Sequence, residues 1–155
     1  MKLSNILFLC TGNSCRSPIA EGLLRSTVSD RDVKVHSAGT HAFERAPASE
    51  NSIKAMELNG LDISSHETRQ LTEEILSEVD FVFAMASDHT EYVKKVFPKY
   101  FDKTYLLRRF GRENDHLMNE DVEDPIGGSI EQYLECYSLL DAEIKRISEI
   151  LFESG

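Results

Sequence analysis

The chain has 155 residues, of which 41% are hydrophobic and 28% charged, and it carries a formal net charge of −10. This composition is typical of one soluble globular domain, which we expect to span residues 1–155. The excess of carboxylates argues against nucleic acid and membrane partners, because non-specific binding to phosphates requires clustered cations. No apolar run approaches the length of a bilayer-spanning or signal segment, so the expected location is the cytoplasm.

Apolar runs of strand length alternate with helical patterns along the chain. Ser17 suits the N-cap of the first helix and Pro18 its first helical position, while Gly60 suits the C-cap of the second. Alternating strands and helices indicate βα units, so we expect a three-layer α/β domain in which helices flank a four-stranded parallel sheet. Strands are predicted at 6–9, 33–37, 79–85 and 103–106, and helices after Ser17, at 48–59, from 72, at 88–97 and at 129–152.

The loop after the first strand carries the strongest chemical signal. In such folds ligands bind beyond the carboxyl ends of the strands, where a loop leads into a helix. Gly12 and Asn13 tolerate left-handed backbone and let successive amides turn toward an anion, while Arg16 offers a planar fork that matches two phosphate oxygens. A thiol at Cys10 would ionise readily in this environment. The sequence therefore predicts a phosphate-binding loop made of Cys10, Thr11, Gly12, Asn13, Ser14, Cys15, Arg16 and Ser17.

The cysteine pattern and the loop ending exclude several other sites. Cys10, Cys15 and Cys136 have neither zinc-ligand spacing nor the two-residue gap of a thioredoxin-type pair. Cys136 falls within the apolar pattern of the last helix, so we expect it in the core. A Walker-type nucleotide loop would need a Gly-Lys-Ser/Thr ending. No metal and no cofactor is implied, because the amides and Arg16 already balance the charge of a phosphate.

The loop resembles the Cys-x5-Arg-Ser/Thr signature of the low-molecular-weight protein-tyrosine phosphatase family. Similar motifs follow in family order and span nearly the whole chain. They are Pro18-Ile19-Ala20-Glu21, Ser37-Ala38-Gly39-Thr40, His66-x-x-Arg69-Gln70 and Asp124-Pro125. The resemblance implies a cysteine-dependent phosphatase that acts on phosphorylated protein, releases inorganic phosphate and uses no cofactor.

The resemblance also implies a role for each site residue. Cys10 would attack phosphorus to form a cysteinyl-phosphate, Arg16 would hold the phosphoryl group, and Asp124 would act as general acid and then as base. Ser17 would donate its hydroxyl to the Cys10 sulfur, and His66 would support the loop through Asn13. The remaining substrate-binding residues would be Thr11, Gly12, Ser14 and Cys15 in the loop, with Phe43 and Ile126 as walls.

Cys15 has two interpretations of equal weight. In the resembled family, a cysteine at this position can form a reversible disulfide with the catalytic cysteine and protect it from irreversible oxidation. Alternatively, Cys15 is a small packing residue.

The residues around the loop leave the substrate open between two phosphorylated side chains. Tyrosine-specific members of the family carry a bulky apolar residue at the position of Ser14, whereas a branch resembling protein-arginine phosphatases has Thr there. That branch also has a segment similar to 124–130. Phe43, in contrast, aligns with an aromatic wall that stacks on phosphotyrosine, and Ile126 replaces the aromatic residue that usually follows Asp-Pro. We expect phosphotyrosine, with phosphoarginine as the alternative.

Two further classes share this type of loop. Thioredoxin-coupled arsenate reductases have a nearly identical loop, but they need two additional cysteines, and this chain has only Cys136. A non-catalytic phosphopeptide-binding module would need neither the nucleophile Cys10 nor the acid Asp124. Both classes are therefore less favoured than a phosphatase.

Overall fold

A computed structural model describes residues 5–112, 114 and 119–153. Part of segment 108–123, which the sequence indicates to be a loop rich in charge, lies outside the described residues. Strands and helices alternate as the sequence predicts. The strands are β1 (Asn5–Cys10), β2 (Lys34–Gly39), β3 (Phe81–Ala84) and β4 (Thr104–Leu106). The helices are α1 (Arg16–Thr27), α2 (Glu50–Glu57), α3 (Glu73–Glu78), α4 (Ser87–Val96) and α5 (Ile130–Ser148), with a 3₁₀ turn at Pro98–Lys103 and a π turn at Glu149–Glu153.

The four strands form one parallel sheet in the order β2-β1-β3-β4, which confirms the predicted sheet. The central strand β1 pairs with β2 on one side and with β3 on the other, so that Leu9 lies opposite both Ala38 and Ala84. Because all carboxyl ends point the same way, the loop after β1 emerges between the ends of its two neighbours. This crevice is where ligands bind in open α/β sheets.

Alternate residues of β1 face opposite layers, as strand geometry requires. Ile6 and Phe8 belong to the core that α1 and α5 cover, whereas Leu7 and Leu9 belong to a second core under α3 and α4. All four side chains are fully buried. Cys136 packs in the first core, as predicted. Within the ranges described, none of the helices combines the length and the hydropathy needed to cross a bilayer.

The predicted start of α1 is wrong. The helix begins at Arg16, its N-cap is Cys15, and the side chain of Cys15 makes no capping hydrogen bond. Ser17 is instead the second helical residue, and its hydroxyl is used within the loop, at 2.9 Å from the Cys10 Sγ. A helix N-terminus that receives no side-chain cap keeps its amides available for an anion.

Other element ends also differ from the sequence prediction, by up to a few residues. Strand β2 continues past residue 37 to Gly39, because parallel pairing with β1 extends as far as Cys10. Helix α2 ends at Glu57 with Leu58 as its C-cap. Gly60 lies two residues beyond that cap and adopts a left-handed φ of 78°.

Candidate active site

Loop 10–17 is held against the end of β2 by backbone hydrogen bonds. The carbonyls of Cys10 and Thr11 accept from the amides of Thr40 and His41, each at 2.9 Å. Gly39 permits this close approach, because a Cβ there would collide with the Thr11 carbonyl and lie 3.0 Å from the Asn13 nitrogen. The loop is therefore shaped by its neighbouring strand as well as by its own residues.

Asn13 is the residue that fixes the turn of the loop. Its φ is 56°, in the left-handed region that Asn tolerates. Its side-chain amide donates to Ser17 Oγ at 2.8 Å, and its side-chain oxygen accepts from the Arg69 amide at 3.0 Å. Its carbonyl accepts from His66 Nε2 at 2.8 Å. Three separate hydrogen bonds thus maintain a conformation that the chain would otherwise adopt rarely.

The largely buried carboxylate of Glu21 lies behind Asn13, where it contacts His66 and Ser37. Glu21 Oε1 is 3.5 Å from His66 Nδ1 and accepts from the Ser37 hydroxyl at 2.5 Å. Burial raises the pKa of Glu21, but the hydrogen bonds from His66 and Ser37 and the charge of Arg25 outweigh it, so the net shift of the pKa is downward. Sequence reasoning named Glu21 only within the motif Pro18-Ile19-Ala20-Glu21 and gave it no role in the site.

Cys10 lies at the carboxyl end of β1, where it is 2% exposed. Because Ser17 Oγ already accepts from Asn13, its own proton is free to be donated to the Cys10 Sγ at 2.9 Å. A hydroxyl donor at this distance stabilises a thiolate, both as a nucleophile and as a leaving group.

Arg16 points into the same site from the first turn of α1 and is 5% exposed. Its Nη1 donates to the Val122 carbonyl at 2.8 Å, and its Nη2 lies 3.5 Å from Asp124 Oδ2. Its Nε is buried without a hydrogen-bond partner among the described residues. Buried guanidinium donors ordinarily have an acceptor, and a phosphate oxygen bound beside Arg16 would supply one.

Asp124 reaches the site from the segment after β4. Its side chain is 37% exposed, and its Oδ1 accepts from the Ile126 amide at 3.1 Å. The preceding Val122 connects this segment to the sheet, because its amide donates to the Met85 carbonyl at 2.7 Å while its carbonyl accepts from Arg16. These hydrogen bonds link the Arg16 side chain to the chain segment that carries Asp124.

Cys10, Arg16 and Asp124 line a cleft of about 270 Å³. The cleft brings together most of the site residues predicted from the sequence, with exposed Phe43 and Ile126 at its mouth. Asn13, Ser17 and His66 do not line it and support the loop from behind. The lining residues predicted from the sequence are Cys10, Thr11, Gly12, Ser14, Cys15, Arg16, Phe43, Asp124 and Ile126.

Cys15 is buried on the side of the loop that faces α5. Its Sγ lies 3.4 Å from both Ser49 Oγ and Tyr133 Oη. Burial, followed by the hydrogen bond with Cys15, raises the pKa of Tyr133 to about 12. Cys10, Cys15 and Cys136 are all free thiols.

His89 is a site residue that sequence reasoning missed. It lies in the first turn of α4, and its Nε2 is 2.9 Å from Thr11 Oγ1. The available signal was its position just after β3, whose carboxyl end neighbours that of β1. In the part of the chain that the structure describes, no group of three or more His, Cys, Asp or Glu side chains could hold a metal ion.

Comparison with known proteins places this geometry among phosphatases. Residues 5–154 match the family model described as low molecular weight phosphotyrosine protein phosphatase. The chain is 37% identical over 146 residues to a protein-arginine-phosphatase of Geobacillus stearothermophilus, covering 94% of this chain and 95% of the relative. It is 33% identical over 141 residues to the low molecular weight protein-tyrosine-phosphatase Etp of Escherichia coli (strain K12), covering 91% and 90%.

The fold is also similar to a solved structure of the YwlE arginine phosphatase, a cysteine-to-serine mutant with a phosphorylated active-site serine. The TM-score is 0.87 at 31% sequence identity, and the alignment covers 97% of each chain.

Proposed function

The chain belongs to the low molecular weight phosphotyrosine protein phosphatase family, and we propose that Cys10, Arg16 and Asp124 carry out its phosphatase reaction. It is a hydrolase of phosphorylated protein. The observation that supports these three roles is that one cleft brings the thiol, the guanidinium and the carboxyl group together. The phosphorylated active-site serine in the solved relative supports a covalent intermediate at the same loop.

In the first step, the Cys10 thiolate forms a bond to phosphorus while the bond from phosphorus to the leaving atom breaks. Arg16 and the loop amides stabilise the charge on the three non-bridging oxygens. Asp124 gives its proton to the leaving atom, so that the dephosphorylated side chain departs neutral.

In the second step, a water molecule attacks the cysteinyl-phosphate. Asp124, now a carboxylate, takes a proton from that water as the new bond to phosphorus forms. The bond between sulfur and phosphorus breaks, and inorganic phosphate leaves. Ser17 stabilises the departing thiolate, since its hydroxyl is 2.9 Å from the Cys10 Sγ.

Turnover of p-nitrophenyl phosphate tests this proposal. We expect Cys10→Ser to abolish turnover, because a serine hydroxyl in this loop is a far weaker nucleophile than a thiolate. Cys136→Ala is the matched control, since Cys136 is a buried core cysteine that does not line the cleft. Turnover by Cys10→Ser at the wild-type rate would contradict the role of Cys10. A loss of turnover in Cys136→Ala as large as that in Cys10→Ser would contradict it as well.

We propose phosphotyrosine as the substrate. Phe43 is 86% exposed at the mouth of the cleft, where its ring is available to stack on a phenyl ring. Phosphoarginine is the second candidate, because the small polar Ser14 lines the cleft and a relative is named a protein-arginine-phosphatase. A substrate guanidinium group binds more tightly beside a polar side chain, whereas a phenyl ring binds more tightly beside an apolar one.

A comparison of kcat/KM on matched phosphotyrosine and phosphoarginine peptides decides between the two substrates. Ser14→Ile should shift the ratio toward phosphotyrosine, and Ser14→Thr should shift it toward phosphoarginine. A wild-type preference for the phosphoarginine peptide would overturn the first choice and leave the roles of Cys10, Arg16 and Asp124 intact.

The cytoplasm is the proposed location. The three cysteines are free thiols, as is usual in a reducing compartment. The net charge of −10 disfavours nucleic acid and anionic membranes as partners, which leaves phosphorylated protein as the proposed partner.

A further inference from the structure

His89 makes hydrogen bonds through both nitrogens of its ring. It is 2% exposed, at the start of α4. Its Nδ1 lies 3.0 Å from the Ala86 backbone nitrogen, and its Nε2 lies 2.9 Å from Thr11 Oγ1. The ring therefore bridges a helix N-terminus and the catalytic loop.

The contact with Ala86 fixes the tautomer of the ring. A backbone N–H can only donate, so the Nδ1 of His89 must accept and the proton of the neutral ring must lie on Nε2. Burial, followed by the positive charges of Arg16 and His41, lowers the pKa of His89 to about 3. Nε2 consequently donates to Thr11 Oγ1.

This assignment determines the orientation of the Thr11 hydroxyl. Thr11 Oγ1 accepts from His89 and lies 3.4 Å from the Arg16 Nη2, which is also a donor. With two donors directed at its oxygen, Thr11 must direct its own proton elsewhere. Thr11 lines the cleft together with Cys10 and Arg16, so an acceptor bound there is within its reach.

We propose that His89 is a positioning residue for the phosphatase reaction, holding Thr11 so that the Thr11 hydroxyl donates to an oxygen of the bound phosphoryl group. This inference rests on the proposed function of the cleft. The parallel register explains the placement, because Leu9 pairs with Ala84 and the first turn of α4 therefore begins beside the loop that follows β1. His89 acts only through Thr11 and does not touch the substrate.

Asn and Gln at position 89 separate this role from a purely structural one. Asn retains an acceptor near the position of Nδ1 and so preserves the cap on Ala86, but it has no donor that reaches Thr11. Gln retains a donor near the position of Nε2 but loses that cap. We expect His89→Asn to lower kcat/KM about tenfold and to raise the inhibition constant of inorganic phosphate about tenfold. Changes of this size correspond to the loss of one hydrogen bond to a charged group. Both quantities should change less in His89→Gln.

Thr11 provides the second half of the test. Thr11→Val removes the hydroxyl at nearly constant volume, and Thr11→Ser keeps it. We expect Thr11→Val to raise the inhibition constant of phosphate as much as His89→Asn does, and Thr11→Ser to keep it close to the wild-type value. The inhibition constant of the His89→Asn/Thr11→Val double variant should be no higher than that of either single variant.

Several results would overturn the proposal. An inhibition constant of phosphate for Thr11→Val equal to that of the wild type would do so, whether or not the His89 variants fold. Greater loss in His89→Gln than in His89→Asn would indicate a helix cap alone, and additive losses in the double variant would indicate that the two residues act separately. Failure of the proposed function is a different outcome, because it would appear as wild-type protein that turns over no phosphorylated substrate.

Discussion

The floor of the cleft, formed by loop 10–17, is buried and cross-linked by hydrogen bonds, whereas its rim, formed by Phe43, Asp124 and Ile126, is exposed. Asn13 alone makes three hydrogen bonds in the floor. Phe43 and Ile126 in the rim are 86% and 67% exposed. The floor and the rim therefore have different tasks. A preorganised floor can stabilise a transferring phosphoryl group, while the exposed Phe43 and Ile126 in the rim can be replaced to favour another substrate side chain without disturbing that chemistry.

Removal of the acid from the rim should have the largest effect. We expect Asp124→Asn to lower kcat about a hundredfold on a phosphotyrosine peptide, because general acid catalysis is typically worth 10²–10⁴. The inhibition constant of inorganic phosphate should change little, since the floor is retained. Steady-state kinetics with a series of aryl phosphates measures both.

The leaving group provides the control for Asp124. A substrate whose leaving group has a low pKa needs less protonation, so the defect of Asp124→Asn in kcat/KM, which reports the first step alone, should shrink as that pKa falls. An equal defect in kcat/KM across the series would mean that Asp124 does not protonate the leaving group.

A methyl group added beneath the floor should have the next largest effect. In Gly39→Ala the new Cβ would collide with the Thr11 carbonyl. We expect a loss of about 1–3 kcal/mol in the free energy of unfolding, together with weaker phosphate inhibition. Urea denaturation measures the first quantity.

Gly12→Ala is the matched control for stability, because its Cβ would meet Ser14 Oγ at an ordinary 3.5 Å. We expect Gly12→Ala to be markedly less destabilised than Gly39→Ala. Equal destabilisation of the two variants would show that the close approach of β2 to the loop does not determine the shape of the floor.

His89, which contacts the floor at Thr11, should determine part of the acid sensitivity of folding. The pKa of His89 falls from its ordinary 6.5 to about 3 in the folded protein, chiefly because of burial. Below pH 6.5 the unfolded chain binds a proton at His89 that the folded chain does not, so stability decreases as the pH falls toward 3. We expect this residue to contribute about 1.4 kcal/mol per pH unit in that window.

His89→Gln removes that proton-binding group, so its unfolding free energy should depend less steeply on pH than that of the wild type between pH 6 and about pH 4. Urea denaturation at several pH values gives the two slopes. Parallel slopes would mean that His89 binds a proton in the folded state as readily as in the unfolded one.

The floor was more predictable from the sequence than the contacts that support it. Asn13 and Arg16 indicate an anion site through their own conformational and charge properties, although Gly12 does not adopt the left-handed backbone expected of it. The four-stranded parallel sheet follows from the alternation of strand and helix patterns. Ser17 suits an N-cap by residue type, but the helix begins one residue before it, and its hydroxyl is bonded to Cys10 and Asn13 within the loop. Hydrogen bonds between side chains leave no periodic signal in the sequence.

His89 was missed for the same reason. Its partner Thr11 is 78 residues away in sequence, and only the pairing of β1 with β3 brings the two together. The backbone carbonyl of Val122 that accepts from Arg16 could not be identified from residue type, because every residue has such a carbonyl. Long-range polar contacts therefore account for most of what the sequence left out of the site.

The smallest predicted effect concerns the rim and the choice of substrate. Ile126 is 67% exposed, so an aromatic side chain can replace it without loss of core packing. In Ile126→Phe, a second ring would face the phenyl group of phosphotyrosine across the cleft from Phe43. Aromatic pairs contribute about 0.5–1.5 kcal/mol beyond their burial, so we expect kcat/KM on a phosphotyrosine peptide to rise about twofold to tenfold. Turnover of p-nitrophenyl phosphate by Cys10→Ser/Ile126→Phe should remain absent. A gain on a matched phosphoarginine peptide as large as that on phosphotyrosine would mean that the rim binds side chains by area alone, and that the floor, through Ser14, selects between them.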